Sequence, residues 1–307
     1  MRPANSFFMS ALKHITILGG GLLGGSIALA QSNKHTFRVW SRRDAATHEA
    51  LNLGLDATSD LAAAVACANL LILSVPVGAM APLLANAIAA GLPENCLITD
   101  VGSVKHLPHQ TLRPIVSAAG YDFIGSHPMA GGEKGGIAQA RADLFLNAAC
   151  LLTNDENVAA EKCQALEEFW QSLGCRTSWC SSADHDALVA RISHFPHLLA
   201  CVGATVALKD PKLSVFGGGG LRDTTRVASG NPAMWAEILL ENRECLLENL
   251  HESLDEMKTV MQLLESGDFP AMQCWLSRAK SRRDVLSPEK RAYQQLQPLN
   301  STDRTDH

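Results

Sequence analysis

A glycine-rich turn near the N-terminus restricts the fold of this chain more than any other segment. It follows the β-type run 14–18 and precedes a segment of helical composition at 26–31. A G-x-G-x-x-G pattern between a strand and a helix allows a tight turn and close approach of the backbone to a pyrophosphate, which the helix N-terminus attracts. The pattern predicts dinucleotide binding, with a purely structural turn as the alternative. The predicted contacts are Gly19, Gly21, Leu22, Leu23 and Gly24.

Strand and helix signals alternate through the first half of the chain. The strand-like runs after the turn are 36–40, 70–75, 96–99, 121–125, 148–153 and 176–180, and segments of helical composition separate them. Such alternation predicts a parallel sheet covered by helices, whose ligands lie at the carboxyl ends of the strands. The predicted fold class is therefore α/β, with a Rossmann-type doubly wound, mostly parallel sheet.

The pattern from residue 183 onward is helical, which predicts an all-helical second domain. Apolar residues recur there at three- and four-residue steps and form a narrow seam: Leu247, Leu250, Leu254, Met257, Met261 and Leu264. The seam suits one face of an intrachain bundle or the contact surface of a homodimer. The predicted organisation is an N-terminal extension at 1–12, a dinucleotide-binding domain at 13–182, a helical substrate and dimerisation domain at 183–290 and a disordered tail at 291–307.

Composition gives no sign of a nucleic-acid or membrane partner. The 307 residues carry a formal net charge of −5 and are 47% hydrophobic, enough for two cores, and no basic block suited to a phosphate backbone is present. The apolar run 15–30 contains five glycines and is too short to span a bilayer. Nine scattered cysteines without zinc-type spacing indicate reduced thiols, a cytoplasmic location and no metal site.

The end of the second strand is where an acidic side chain reads the adenosine ribose in NAD-preferring proteins. This chain has Ser41-Arg42-Arg43 there, and an aspartate follows only after both arginines. Because arginine can pair with a 2′-phosphate, NADP is favoured over NAD, with two solvated surface arginines as the alternative. The further predicted cofactor contacts, at the end of the run 70–75, are Ser74 and Pro76.

One histidine follows a predicted strand in a setting that suits proton chemistry. The run 121–125 continues into Ser126-His127-Pro128 and a series of small residues that includes Glu133. Loops held by a rigid sheet carry function more often than the sheet does, and imidazole exchanges a proton near neutral pH. We therefore predict that His127 is catalytic and lies in a loop directly after the strand.

Several motifs, taken together and in order, resemble one family. They are the glycine turn at 19–26, Asp100-Val101-Gly102-Ser103-Val104-Lys105, the His127 segment at 125–131, His185-Asp186, Ser193-His194-Phe195-Pro196-His197, and the segment 218–226 with Trp235. This set resembles the prephenate/arogenate dehydrogenase family of tyrosine biosynthesis from residue 13 to about residue 285. The His-Pro and Asp-Thr-Thr-Arg motifs are specific to that family as a set, unlike the glycine turn alone.

The resemblance implies an oxidative decarboxylation. The family oxidises a cyclohexadienol with a ring carboxylate: hydride passes to the nicotinamide, carbon dioxide leaves, and the ring becomes aromatic. By resemblance, His127 would accept a hydrogen bond from the ring hydroxyl and draw its proton, which requires a neutral imidazole. We therefore expect activity to fall as the pH drops through a pKa of about 6 to 7.

The resemblance also implies roles for residues around the histidine. Ser103 would hold the same hydroxyl or orient His127, and Arg226 would pair with a substrate carboxylate, which a planar guanidinium suits. His197 and Ser193 would line the pocket for the other end of the substrate.

Three more residues complete the implied site. Glu133 and Asp186 would support the catalytic groups or form a gate, and Trp235 can approach the pocket from the partner subunit of a homodimer. Asp186 and Ser193 also suit ordinary polar positions on a helix face.

The resemblance leaves the substrate open between prephenate and L-arogenate, which differ by a keto or an amino group. A 3-hydroxyacid or 3-hydroxyacyl-thioester dehydrogenase of similar architecture is an alternative enzyme. A nucleotide-sensing relative without turnover is a non-enzyme alternative. The hydroxyacid and hydroxyacyl-thioester chemistries need no second carboxylate clamp, so loss of dicarboxylate binding on Arg226→Ala would favour the first interpretation, whereas a sensor would bind NADPH without turnover.

Overall fold

A single sheet organises the structure, a computed structural model that describes residues 12–30, 35–132 and 135–286. Within these residues eight strands follow the order β3-β2-β1-β4-β5-β6-β7-β8. The strands are β1 His14–Leu18, β2 Thr36–Trp40, β3 Ala57–Thr58, β4 Leu70–Leu73, β5 Leu97–Asp100, β6 Asp122–Pro128, β7 Ala149–Thr153 and β8 Arg176–Cys180. Strands β1 to β6 are parallel, β7 is antiparallel to β6, and β8 is parallel to β7. The first six strands have the order of dinucleotide-binding sheets, which confirms the predicted Rossmann-type fold.

Helices cover both faces of the sheet, which is why its central strands are apolar throughout. All four residues of β4 are buried, and their side chains alternate between two core clusters. Ile72 lies with Ile15 and Trp170 on one face, and Leu71 lies with Phe123 on the other. Because successive side chains of a strand point to opposite faces, a continuous buried run requires cover on both.

The described connections between strands contain helices α1 Leu22–Leu29, α2 Asp44–Asn52, α3 Leu61–Val65, α4 Val77–Ala89, α5 His106–Ala119 and α6 Ala160–Ser172. The predicted alternation of strands and helices is present. Strand β3 was not predicted, because its two residues are too few to show an alternating pattern.

A continuous helical stretch follows β8. It consists of α7 Ser182–Val189, a π-helical turn Ala190–His194 and α8 Phe195–Ala207. Pro196 lies in the first turn of α8, directly after the π turn, where the wider backbone spacing accommodates a residue without an N–H. Among the described helices, this stretch alone is long and apolar enough to cross a membrane by length and composition. Its buried His185, Asp186, His194 and His197 suit a protein interior instead.

Helices α9 Gly219–Thr225 and α10 Pro232–Glu241 come next, with 3-10 turns at Pro211–Phe216 and Arg226–Ser229. The Asn231 side chain accepts a hydrogen bond from the backbone N–H of Met234 at 3.1 Å and caps α10. The chain to Cys245 forms one compact unit and the chain from Leu246 another. The predicted domain boundary near residue 182 falls inside the first unit and stays a prediction. The predicted extension, apart from Leu12, and the predicted tail lie outside the described residues.

The second unit contains two long helices, α11 Arg243–Ser266, which begins just before the unit, and α12 Phe269–Asp284. Gly267 has φ 65°, a left-handed conformation that ends α11 and turns the chain. Trp275 Nε1 donates to Glu256 Oε2 at 2.8 Å and joins the two helices. Five residues of the predicted seam are 46% to 68% exposed in the single chain: Leu247, Leu254, Met257, Met261 and Leu264.

Candidate active site

His127 lies at the carboxyl end of β6 and is 9% exposed. We predicted a loop at this position, and that prediction was wrong, because β6 continues through Pro128. The extension arises from antiparallel pairing with β7, which places His127 opposite Leu151 and Pro128 opposite Cys150. The pairing with β7 therefore fixes the backbone that carries the imidazole of His127.

A chain of three side chains leads from His127 into the protein. Nδ1 of His127 lies 2.9 Å from Nε2 of His185, and Nδ1 of His185 lies 2.7 Å from Oδ1 of Asp186. The Asp186 carboxyl group also accepts the backbone N–H of Lys105 at 2.7 Å and that of His106 at 2.9 Å. We refer to His127, His185 and Asp186 as the relay.

The hydrogen bonds of the relay determine which nitrogen carries the proton in the rings of His185 and His127. An ionised Asp186 can only accept, so Nδ1 of His185 donates to it and Nε2 of His185 accepts. The Nδ1–H of His127 must then donate to His185, which leaves Nε2 of His127 as its basic nitrogen. The arrangement suits a proton acceptor.

Burial sets the charge state of the relay. Burial lowers the pKa of His127 well below its ordinary value, and the neighbouring His185 and Lys105 lower it further. The expected pKa of about 6 to 7 is therefore revised downward. Burial alone raises the pKa of Asp186, but hydrogen bonds from His185 and from the amides of His106 and Lys105 outweigh it and lower that pKa. The relay is thus neutral imidazole, neutral imidazole and carboxylate at pH 7.

A buried ion pair lies beneath the relay, and it was not predicted. Lys105 Nζ donates to Asp100 Oδ2, and both side chains are fully buried. The Asp100 carboxylate also accepts the backbone N–H groups of Ser126 at 3.1 Å and Gly102 at 2.8 Å. These bonds join the ends of β5 and β6 and shape the loop that carries Ser103, which is half-buried there.

Helix α8 brings a further histidine, His197, into the interior. The ring of His197 stacks on Trp235 of the same chain, with centroids 3.5 Å apart and planes 8° apart. Gly230 makes room for the indole, because a Cβ there would lie 2.4 Å from Trp235 Nε1. His197 Nδ1 is buried without a hydrogen-bond partner in the described residues, and burial lowers the pKa of this imidazole. An unpaired buried nitrogen is what a ligand would satisfy.

Asn242, which ends α10, connects this part of the site to the relay. Its side-chain Nδ2 donates to the backbone carbonyl of Asp186 at 2.8 Å and to Nδ1 of His194 at 3.1 Å. Both protons of one amide nitrogen are thus used, and burial lowers the pKa of His194 to about 4. Asn242 was not predicted, since an asparagine at the end of an amphipathic helix resembles any other polar surface residue.

The remaining predicted catalytic residues are placed less centrally. Ser193 is half-buried on the π turn, and Arg226 is exposed at the start of the 3-10 turn that packs on α8. Glu133 lies outside the described residues. The structure therefore brings His127 together with Asp186, places Ser103 in the loop after β5, and places His197, Ser193 and Arg226 on the α8 side.

The glycine turn has the form that a dinucleotide needs. Gly19 has φ 122°, and a Cβ on it would lie 2.1 Å from the carbonyl oxygen of Ser74. A Cβ on Gly24 would lie 2.0 Å from the carbonyl oxygen of Gly19, whereas a Cβ on Gly21 would meet nothing within 4 Å. Gly21 faces open space before the uncapped N-terminus of α1, where a pyrophosphate fits. Leu22 and Leu23 form the half-buried first turn of that helix.

Polar residues at the carboxyl ends of β2 and β4 lie beside the glycine turn, at the same edge of the sheet. Ser41 Oγ is buried without a hydrogen-bond partner in the described part of the chain, while Arg42 and Arg43 beside it are exposed. Ser74 is half-buried at the end of β4, and Pro76 precedes α4. In the described ranges no three His, Cys, Asp or Glu side chains are grouped to hold a metal ion.

Comparison with known families matches almost the whole described chain. A family model described as "Prephenate dehydrogenase, nucleotide-binding domain" matches residues 28–178, and one described as "Prephenate dehydrogenase, dimerization domain" matches residues 181–278. The prephenate dehydrogenase of Bacillus subtilis is 33% identical over 288 residues, which are 91% of this chain and 77% of that protein. The cyclohexadienyl dehydrogenase of Zymomonas mobilis is 34% identical over 85% of this chain and 91% of its own length.

Solved structures show the same fold. Prephenate dehydrogenase from A. aeolicus, in complex with hydroxyphenyl propionate and NAD+, has a TM-score of 0.81 at 24% identity and covers 90% of this chain and 98% of its own. Synechocystis arogenate dehydrogenase has a TM-score of 0.76 at 28% identity and covers 89% of this chain and 100% of its own.

Proposed function

We infer the function from one premise: the chain belongs to the prephenate dehydrogenase family. It is accordingly an NAD(P)-dependent oxidoreductase of tyrosine biosynthesis that oxidises and decarboxylates a cyclohexadienol. The alternatives, a hydroxyacid dehydrogenase and a sensor without turnover, are not favoured. The observation that carries the proposed mechanism is the relay, which presents a neutral, basic imidazole at the carboxyl edge of a dinucleotide-binding sheet.

His127 is the proton acceptor in this proposal. Its Nε2 accepts a hydrogen bond from the ring hydroxyl and draws the proton as the C–H bond of the same carbon breaks. The nicotinamide, when bound, accepts the hydride. Electrons of the bond to the ring carboxylate move into the ring as carbon dioxide leaves, and His127 returns the proton to the phenolic oxygen. No net proton is released by this sequence.

His185 and Asp186 act through His127. While His127 carries the extra proton, its Nδ1–H points to His185, and the carboxylate of Asp186 stabilises the positive charge through that ring. The two residues also hold the imidazole in one orientation. Their contribution is positioning and electrostatic, since neither is placed to touch the substrate in this proposal.

Four residues are proposed to bind the substrate. Ser103 lies in the loop after β5, on the edge that carries His127, and holds the hydroxyl. Arg226 pairs with a carboxylate, and His197 with Ser193 lines the far end of the pocket. The unpaired Nδ1 of His197 supports this placement. Glu133 remains a proposed gate residue on sequence alone.

NADP is proposed as the preferred cofactor. Arg42 and Arg43 follow β2 where an acid would select NAD, and the buried hydroxyl of Ser41 lacks a partner that a ribose phosphate would supply. The glycine turn and the N-terminus of α1 would hold the pyrophosphate.

A homodimer is proposed through the helical region. Five of the six seam residues on α11 are exposed in the single chain, and the family model matching 181–278 is described as a dimerization domain. A second copy of the seam is the partner that fits it. A cytoplasmic location is proposed as well, because none of the nine cysteines, all within the described residues, forms a disulfide, which suits a reducing compartment.

The test is an initial-rate assay that follows reduced-nicotinamide absorbance and crosses prephenate and L-arogenate with NAD and NADP. Turnover in one of the four combinations is the expected result, and the fastest combination names the cofactor and the substrate. Folded protein that binds NADPH but turns over none of the four would overturn the proposed function.

A further inference from the structure

A carboxylate from α10 caps the start of α4, although the two residues are 159 positions apart. Oε1 of Glu237 accepts the backbone N–H of Gly78 at 3.2 Å. Gly78 is the second residue of α4, and Pro76 at the N-cap offers no side-chain acceptor. The first N–H groups of a helix have no partner inside it, so Glu237 supplies one that the local sequence lacks.

The same helix contacts the other parts of the site. Trp235, two residues before Glu237, stacks on His197, and Asn242 at the end of α10 binds the Asp186 carbonyl and His194. Contacts from α10 and its C-terminal Asn242 therefore reach both the start of α4 and the relay. Together these contacts connect the proposed cofactor edge, the proposed substrate pocket and the relay.

We propose that Glu237 is a positioning residue for hydride transfer. Its bond to Gly78 fixes the segment 74–78 relative to α10, whose Trp235 stacks on His197 and whose C-terminal Asn242 binds Asp186 of the relay. The proposal rests on the proposed function only in taking Ser74 and Pro76 as cofactor contacts. Without the bond, the segment is free to move away from α10, and the proposed cofactor contacts Ser74 and Pro76 are no longer held in place before the cofactor binds.

A second carboxyl group makes this contact sensitive to pH. Glu241 lies one turn after Glu237 on α10, and a hydrogen bond between the two side chains contributes to the raised pKa of Glu241. Burial and the nearby charges of Glu237 and Asp186 raise the pKa of Glu241 to about 7, partly offset by Lys105. Protonated Glu241 donates to Glu237, whereas ionised Glu241 repels it. The contact is therefore strongest below about pH 7 and weakens as the pH rises through that value.

Asp186 and His194, two charged or titratable groups near Glu241, keep the same charge through this pH range. Asp186 on α7 has a lowered pKa and is ionised, and His194, which shares Asn242 with it, has a pKa of about 4 and is neutral. Lys105 is held in its ion pair with Asp100.

The first experiment compares Glu237→Ala with Glu237→Gln at pH 6.5 and measures the Kd of NADPH by fluorescence, KM for both substrates and kcat. Glutamine keeps an oxygen that accepts from Gly78, whereas alanine does not. We expect the alanine variant to bind NADPH about threefold to tenfold more weakly and the glutamine variant to stay within about twofold of wild type. Glu244→Ala is the matched control, since its side chain is 88% exposed on α11.

Two results would overturn the proposal. One is a wild-type Kd for NADPH in Glu237→Ala. The other is an equal loss in both variants, which would assign the effect to charge rather than to the bond. A role in folding alone would lower the melting temperature and leave the Kd of the folded protein unchanged.

The second experiment measures the Kd of NADPH from pH 6 to pH 8 in wild type and in Glu241→Gln. The ligand's own titration is common to both, so their difference reports Glu241. We expect wild-type binding to weaken relative to the variant as the pH rises through about 7. Parallel curves would contradict the pH-sensitive contact. The Kd measurements in both experiments need no turnover, so they stay informative even if the four-way rate assay fails.

Discussion

Nδ1 of His127 lies 2.9 Å from Nε2 of His185, although 58 residues separate them in sequence. His127 lies near the carboxyl end of β6, whereas His185 lies on α7, the helix that follows the last strand. The proton acceptor and the groups that orient it thus come from two segments, and each depends on the packing of α7 against the sheet. Substitutions that separate these segments should damage catalysis before they unfold the protein.

Replacing the proton acceptor should remove most of the activity. We expect His127→Asn to lower kcat by about 10²- to 10⁴-fold with little change in KM, because asparagine cannot take the hydroxyl proton. Steady-state kinetics with the better substrate measure both parameters. His48→Asn, an exposed histidine on α2, is the control and should retain wild-type rates. A fully active His127→Asn variant would contradict the assignment of His127 as the proton acceptor.

The acid limb of the pH–rate profile should lie below about pH 6.5. Burial lowers the pKa of His127 well below its ordinary value, so the base stays neutral, and kcat stays constant, between pH 7 and 6.5 and falls only at lower pH. Unfolding exposes His127, His185 and His194, whose pKa values are all lowered when folded. The unfolded chain therefore binds more protons below about pH 6.5, and stability should fall as the pH drops.

Measuring kcat and the melting temperature at each pH separates titration from unfolding. An acid limb with its midpoint above pH 6.5 in folded protein would contradict the buried, neutral imidazole.

Breaking the buried ion pair should destabilise the fold strongly. Lys105→Met leaves the carboxylate of Asp100 buried without its cation, which we expect to cost about 3–5 kcal/mol in the free energy of unfolding. Urea denaturation measures this loss. The double variant Lys105→Met/Asp100→Asn should recover part of it, since the uncompensated charge is gone, and equal losses in both would argue against the charge as the cause.

The two arginines after β2 should decide cofactor preference. We expect Arg42→Ala/Arg43→Ala to weaken NADPH binding by about tenfold or more while NADH binding changes little, because only NADPH carries the 2′-phosphate. Fluorescence titration gives both constants. Arg278→Ala on α12 removes an exposed arginine elsewhere and serves as control. Equal effects on the two cofactors would contradict a 2′-phosphate role.

A charge in the seam should separate the proposed homodimer. Met257 is 46% exposed in the single chain, and aspartate there would place a charge in an apolar contact. We expect wild type to sediment as a dimer and Met257→Asp to shift toward monomer in analytical ultracentrifugation. His251→Asp, a change at an exposed polar position on the same helix, should leave the dimer intact. A monomeric wild type would refute the proposed contact.

Local sequence patterns predicted the architecture because the same residues that form the patterns, such as apolar strands and turn glycines, stabilise the elements they belong to. The run 70–73 is apolar since it is buried on both faces, and glycine is required at position 24 because a Cβ there would lie 2.0 Å from the Gly19 carbonyl oxygen. Strand β3 and the extension of β6 to Pro128 were missed, because both depend on pairing with a neighbour rather than on their own residues.

The candidate site was predicted only in part for the same reason. His127 stood out by its motif, but the roles of Asn242 and Glu237 arise from contacts across 56 and 159 residues that no local pattern reports. The sequence left an ordinary helix-face position as an alternative for Asp186, whereas in the structure its carboxylate accepts two backbone N–H groups. The assignments of substrate-binding residues stay predictions until the variants are measured.

The π turn at Ala190–His194 sets the rotational phase between the two halves of one long helix. Asp186 and His185 precede it, and His197 follows it, yet all three point into the interior. Removing one residue from the turn would restore a regular helix and rotate everything after it by about 100°. His197 would then leave Trp235 while the relay stayed in place. The number of residues between His185 and His197 therefore fixes the direction in which His197 points, and no substitution within the turn can compensate for a deletion. The length of this turn, rather than the identity of its residues, is its sensitive property.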